Sequence, residues 1–227
     1  LLDYPGTRSS LPVLAAGEAD RRPQSTTTRS RILNDYVDEL LAIAEVCGDA
    51  TFSLYATGFG GLVALRAMQL QPGRIDKGVL QAAYASRAFS RLERWAIQWG
   101  RHLPGCLKHL PGRHAVQQAN HRPFFPLMDP SRWDFFAANT GETSLRVLAE
   151  RADVAARTDL REVLPDIRQP VLLLQTEGEG TIPGDGQHRL VHDLPRVQIE
   201  SLHSTGDLTY LTHPHRLAKL LREFLRA

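Results

Sequence analysis

The turn centred on Gly58 lies directly before a predicted helix, at a position from which a side chain could react with a substrate. Residues 51–56 form a short apolar stretch typical of a strand, and an apolar helical pattern follows from Gly60. Strand, sharp turn and helix in this order are the setting of the Gly-x-Ser-x-Gly pattern, in which an apical serine acts as a nucleophile. Here the apex is Gly58, between Thr57 and Phe59. The sequence therefore predicts that the turn is kept and that the reactive oxygen is missing.

Two acidic positions later in the chain follow other apolar stretches. Asp207 comes after the strand predicted at Val197–Leu202, and Glu179 follows the stretch that begins at Pro170, with Glu177 as the neighbouring option. Two carboxylates facing each other across a pocket would share a proton or hold a cation, because close like charges raise one of the two pKa values. In the other interpretation, which we favour, both are solvated or paired with arginines.

These residues need a scaffold, and the hydrophobic patterns indicate an α/β fold. Helical periodicity runs from Asn34 to Val46 and from Pro214 to Leu225, a further helix is predicted around 185–193, and short strands are predicted at 79–83 and from Pro170. The intervening residues 86–165 are rich in aromatic residues and contain helical patches but few strand-like runs. This alternation predicts a mostly parallel sheet flanked by helices, with an inserted helical cap.

In their order, these segments resemble the α/β-hydrolase fold, specifically its helical-capped branch of small-molecule esterases and C–C hydrolases. The segment starting at Asp3 resembles the Asp-x-Pro-Gly-x-Gly-x-Ser turn of that family, and the segment from His203 to Pro214 resembles the one that usually carries the catalytic histidine. The resemblance implies a core of residues 1–85 and 166–227 and a cap of residues 86–165. It also implies that the family's first strands are absent, so that an upstream segment or a protein partner would complete the sheet.

The resemblance places Gly58 at the nucleophile position, Glu179 at the acid position and Asp207 at the position of the general base. A catalytic triad works as a unit, so the loss of its members together removes most of the rate. The leading hypothesis is therefore a catalytically degenerate, non-hydrolytic protein that serves as a sensor, regulatory domain or pseudo-enzyme partner. It would bind a small apolar or carbonyl-bearing ligand between cap and core, near Thr57, Gly58, Phe59, Glu179 and Asp207.

Two other functions stay open at the level of sequence. Asp207 or Glu179 could act as a general base in isomerase, cyclase or lyase chemistry. Alternatively, the chain could be a structural or assembly partner that docks through its incomplete sheet.

The composition and charge of the chain limit the classes of partner and cofactor that it is expected to bind. The chain has 227 residues and a net charge of +2, which gives no footprint for nucleic acid or a membrane, and no apolar run approaches the roughly 18 residues of a membrane span. Two cysteines, Cys47 and Cys106, do not form a disulfide framework, so a reducing cytoplasm is expected. His188 and His192 lack an evident third ligand, so no metal or other cofactor is expected.

Overall fold

A four-stranded parallel sheet is the centre of the computed structural model, which describes residues 32–48, 50–176 and 185–227. The strands lie side by side in sequence order, and every neighbouring pair is parallel. They are β1 (Phe52–Thr57), β2 (Ile75–Gln81), β3 (Val171–Thr176) and β4 (Val197–Leu202). The carboxyl ends of all four strands therefore meet at one edge, where parallel α/β sheets usually hold their ligands.

Strand β3 shows why this sheet forms. Its apolar residues point alternately to two cores: Val171 and Leu173 belong to one, and Leu172 and Leu174 to the other. A continuous apolar run buried on both faces is typical of a strand in a parallel sheet. The strands predicted from Pro170 and at Val197–Leu202 are confirmed.

Helices cover both faces of the sheet. On one face the larger core is built by α1 and α2, with Tyr36 and Leu65 among its most deeply buried residues, and α7 adds Leu190. On the other face α9 buries Leu217 and Phe224 against the strands. The bounds are α1 (Leu33–Val46), α2 (Phe59–Leu70), α7 (Asp185–Asp193), α8 (Thr209–Thr212) and α9 (Pro214–Arg226). The predicted class, a parallel sheet flanked by helices, is confirmed.

The second strand is displaced from its predicted position at 79–83. It begins at Ile75 and ends at Gln81, because Ala82 has a φ of 48° and turns the chain out of the extended conformation. The charged pair Asp76 and Lys77 interrupts the apolar pattern at the start of this strand. The shift matters for the site, since it makes Gln81 the last residue of β2.

Residues 86–165, here called the cap segment, connect β2 to β3 and are helical. Their helices are α3 (Arg91–Gly100), α4 (Arg113–His121), α5 (Pro130–Gly141) and α6 (Leu145–Arg157), with 3-10 turns at Leu107–His109, Arg122–Phe124 and Arg161–Asp166. The boundaries of core and cap, at residues 85 and 166, stay predictions.

Several aromatic residues of the cap segment lie in contrasting surroundings. Phe125, Trp133 and Phe136 form a buried cluster that packs on Leu208 and Leu211, in the segment after β4. On α3, by contrast, the Trp95 and Trp99 rings lie 5.6 Å apart and their residues are 59% and 58% exposed. The buried cluster therefore packs part of the cap segment onto the segment that follows β4.

Among the helices of the described residues, none combines the length and apolar character needed to cross a bilayer. Cys47 and Cys106 are both free thiols.

Candidate functional site

Gly58 forms a tight turn between β1 and α2. Its φ of 51° and ψ of −119° lie outside the regions that residues with a Cβ normally adopt. The Gly58 N–H donates to the carbonyl oxygen of Gln81 (3.1 Å), and the Gly61 N–H donates to that of Gly58 (3.0 Å). A Cβ built at Gly58 would meet no atom of the described residues within 4 Å. The turn therefore has the shape of a nucleophile elbow, and no described residue fills the space where the side chain would stand.

Asp207 lies in the turn that follows β4. Its Oδ1 accepts a hydrogen bond from the Thr176 hydroxyl (3.3 Å) at the end of β3. Burial raises the pKa of the Asp207 carboxyl, while the Thr176 hydrogen bond and the charge of His121 act in the opposite direction. Asp207 is thus a half-buried carboxyl group whose protonated form is favoured more than in an ordinary aspartate.

Gln81 connects Gly58 to Asp207. Its carbonyl oxygen accepts from Gly58, and its side-chain Nε2 donates to the backbone carbonyl oxygen of Asp207 (3.0 Å) and to the Thr209 hydroxyl (2.9 Å). Its Oε1 accepts a hydrogen bond from the Tyr55 hydroxyl (2.6 Å). One buried amide therefore joins the elbow to the turn that carries Asp207.

The cap segment reaches the same place through the end of α4. Phe124 lies directly over the Asp207 turn, since a Cβ at Gly206 would be 2.7 Å from its ring. His121 packs edge-on against Phe136, with ring centroids 5.4 Å apart. Burial lowers the pKa of His121, and the charge of Asp207 raises it, so the two groups interact across the interface.

The remaining predicted site residues lie in different surroundings. The Phe59 ring packs edge-on against Tyr36 (centroids 5.1 Å apart) in the larger core, so only the Phe59 backbone belongs to the turn. Thr57 is half-buried at the end of β1, opposite Gln81 in the sheet. Glu179 and its neighbour Glu177 lie outside the described residues.

Sequence reasoning missed Gln81, Thr176 and His121. The first two carry a signal that could have been used: each is a polar residue that ends an apolar strand at the carboxyl edge of the sheet. For His121 we find no such signal, because its place depends on how the cap segment packs. Within the described ranges no group of three or more His, Cys, Asp or Glu side chains is placed to hold a metal ion.

Comparison with known proteins bears on the reaction. The chain is 25% identical over 235 residues to a pimeloyl-[acyl-carrier protein] methyl ester esterase of Aromatoleum aromaticum, covering 95% of this chain and 90% of the relative. An esterase from Thermogutta terrifontis superposes with a TM-score of 0.70 at 17% identity, covering 86% of this chain and 72% of the other. MenH from S. aureus gives 0.69 at 17% identity, covering 90% and 79%. No family model matches the chain.

These comparisons overturn the hypothesis of a catalytically degenerate, non-hydrolytic protein, together with its isomerase, lyase and assembly alternatives. The curated relative is an esterase, its similarity extends over 95% of the chain, and this points to an esterase rather than to a pseudo-enzyme. The hypothesis was wrong because it equated the changed residues at the three triad positions, Gly58, Glu179 and Asp207, with missing turnover. The sheet order, the elbow and the superposed structures together show that the chain has the α/β-hydrolase fold.

Proposed function

We propose that the protein is a carboxylic ester hydrolase in which water, rather than a side chain at the elbow, attacks the ester carbonyl. The observation that carries this proposal is the similarity to the Aromatoleum esterase along nearly the whole chain. The elbow at Gly58 supports it, because no described residue fills the space at the apex, where a water molecule would stand beside the substrate carbonyl.

Asp207 is the proposed general base. Its raised pKa makes the carboxylate a stronger base than an ordinary aspartate, and the Thr176 hydrogen bond orients it. The carboxylate takes one proton from water while the water oxygen bonds to the carbonyl carbon. The bond between that carbon and the alkoxy oxygen then breaks, and Asp207 returns the proton to the leaving alkoxide. The products are a carboxylic acid and an alcohol.

The start of α2 supplies the electrostatic part of the proposed mechanism. Negative charge develops on the carbonyl oxygen during the attack, and the N-terminus of a helix favours negative charge. Because α2 begins at Phe59, directly after the apex, an oxygen at the elbow would lie at the positive end of the helix. Thr57 and Gly58 would line the substrate on the strand side.

The name of the Aromatoleum esterase indicates which class of ester to test first. Its name specifies a methyl ester of an acyl chain, and a methyl ester is therefore the first substrate to test on this chain. Such a substrate has a small alcohol, so the cap segment would have to accommodate mainly the acyl part.

The test is ester hydrolysis by the purified protein and by Asp207→Asn. The substrates are the methyl ester of pimelate and a series of activated esters. The Asn side chain keeps an acceptor for Thr176 but cannot take a proton, so we expect the rate to fall by about 100-fold or more. Asp134→Asn is the matched control, because Asp134 is an exposed carboxylate on α5. Equal rates for the wild type and Asp207→Asn, or no hydrolysis by the wild type, would overturn the proposal.

A further inference from the structure

Gln81 is an uncommon residue for its surroundings. It is fully buried (0% exposed) in a strand whose other inward residues, such as Val79 and Leu80, are apolar. A buried amide without partners costs free energy, so such a residue is stable only when its polar atoms are hydrogen-bonded. Gln81 meets this requirement, because both the NH₂ group and the Oε1 atom of its side chain are hydrogen-bonded.

The amide has a single possible orientation. A backbone carbonyl can only accept, so the NH₂ group must face the Asp207 carbonyl oxygen, and its second hydrogen points to the Thr209 hydroxyl. This leaves Oε1 for the Tyr55 hydroxyl. Burial raises the pKa of the Tyr55 phenol, which keeps it protonated and able to donate.

The three partners come from distant parts of the chain. Tyr55 lies on β1, three residues before Gly58, whereas Asp207 lies in the turn after β4 and Thr209 is the first residue of α8. The backbone of Gln81 also accepts from the Gly58 N–H. Gln81 thus bonds Gly58 through its backbone and Asp207 through its side chain. A displacement of the side-chain amide would therefore change the distance between Gly58 and Asp207.

We propose that Gln81 is a positioning residue of the site, which fixes the Asp207 turn against the Gly58 elbow and thereby sets where the carboxylate stands relative to the substrate carbonyl. This role rests on the proposed hydrolase function. Gln81 acts through the backbone of Asp207, and Tyr55 acts through Gln81 by holding the amide in its orientation.

A matched control exists elsewhere in the chain. Gln169 is also buried (7% exposed), and its Nε2 also donates to a backbone carbonyl oxygen, that of Met68 (2.8 Å). It ties the segment before β3 to α2, away from Asp207. Gln169→Leu therefore removes the same kind of hydrogen bond from the interior without touching the site.

The experiment compares kcat, KM and the titration of Asp207 in Gln81→Leu, Tyr55→Phe and Gln169→Leu. The titration is followed by the NMR signal of the Asp207 carboxyl carbon, so it does not depend on turnover. In Gln81→Leu we expect kcat to fall about 10- to 100-fold with little change in KM, because a small displacement of a catalytic group has effects of this size. The Asp207 pKa should also move toward its ordinary value, because the loosened turn admits water.

Tyr55→Phe should give smaller changes in the same directions, and it serves if Gln81→Leu does not fold. Gln169→Leu should leave kcat and the Asp207 titration as in the wild type. The inference is overturned if Gln81→Leu and Gln169→Leu lower kcat by the same factor, or if the Asp207 titration is unchanged in both Gln81→Leu and Tyr55→Phe. A wild type that hydrolyses no ester, with a titration that still moves, would reject the proposed function and leave the positioning of Asp207 by Gln81 supported.

Discussion

Two turns at the carboxyl edge of the sheet have nearly the same φ and very different surroundings. The φ angle is 51° at Gly58 and 58° at Gly206. A Cβ at Gly58 would meet no atom of the described residues within 4 Å, whereas at Gly206 it would lie 2.7 Å from the Phe124 ring. Glycine is therefore favoured at 58 by the backbone alone, and at 206 by the backbone and by the packing of the cap segment. Among the described residues, the cap segment covers the second turn and leaves the first one uncovered.

Among the substitutions that test this difference between the two turns, Gly206→Ala should have the largest effect on the free energy of unfolding. The positive φ costs about 1–2 kcal/mol for a residue with a Cβ, and overpacking against Phe124 adds about 1–3 kcal/mol. We expect the free energy of unfolding, measured with urea, to fall by the sum of the two. In a Phe124→Ala background the overpacking part should vanish. An equal loss in both backgrounds would mean that Phe124 does not close this turn.

Gly58→Ala should have a smaller effect. Only the positive φ is unfavourable there, so we expect a loss of about 1–2 kcal/mol in the same urea measurement. Gly58→Ser should differ from Gly58→Ala by less than about 0.5 kcal/mol, because the open space accepts the hydroxyl. A loss as large as that of Gly206→Ala would show that the elbow is packed as closely as the Asp207 turn.

The smallest effect concerns pH and the Asp207 carboxylate, which lies in the same turn as Gly206. Burial raises the pKa of Asp207 in the folded state above its unfolded value, so the folded state binds more protons there. The carboxyl group therefore costs nothing below its unfolded pKa, and stability falls as the pH rises through the interval up to the folded pKa. Relative to the wild type, Asp207→Asn should gain stability over that interval and then stay level. A difference that is constant from acid to neutral pH would contradict the burial of this carboxyl.

Much of the scaffold could be predicted because its signals are local. The helical periodicity of α1 and α9 and the apolar run of β3 can each be recognised within a short stretch of sequence. The same holds for the order of strand, glycine and helix around Gly58. The strand at β2 was misplaced because the positive φ of Ala82 reflects its tertiary surroundings, which a propensity does not contain.

The site was less predictable because its contacts are long-range. Gln81 and Asp207 are 126 residues apart in the sequence, and only the folded chain brings the amide to that carbonyl oxygen. The charge of Asp207 raises the pKa of His121 because the packing of α4 brings the two groups close enough for their charges to interact, and no pattern in the sequence predicts that packing. The prediction about activity failed for a different reason, since it equated the replaced triad positions Gly58, Glu179 and Asp207 with a loss of turnover.

The arrangement of the three tryptophans gives the protein built-in optical probes. Trp95 and Trp99 are exposed on α3, whereas Trp133 is buried in the cluster against Leu208 and Leu211. A soluble quencher should therefore reduce the red-shifted emission of the first two and leave a blue-shifted component from the third. That remaining component therefore shows, without any added label, whether the cap segment is packed against the segment that carries Asp207.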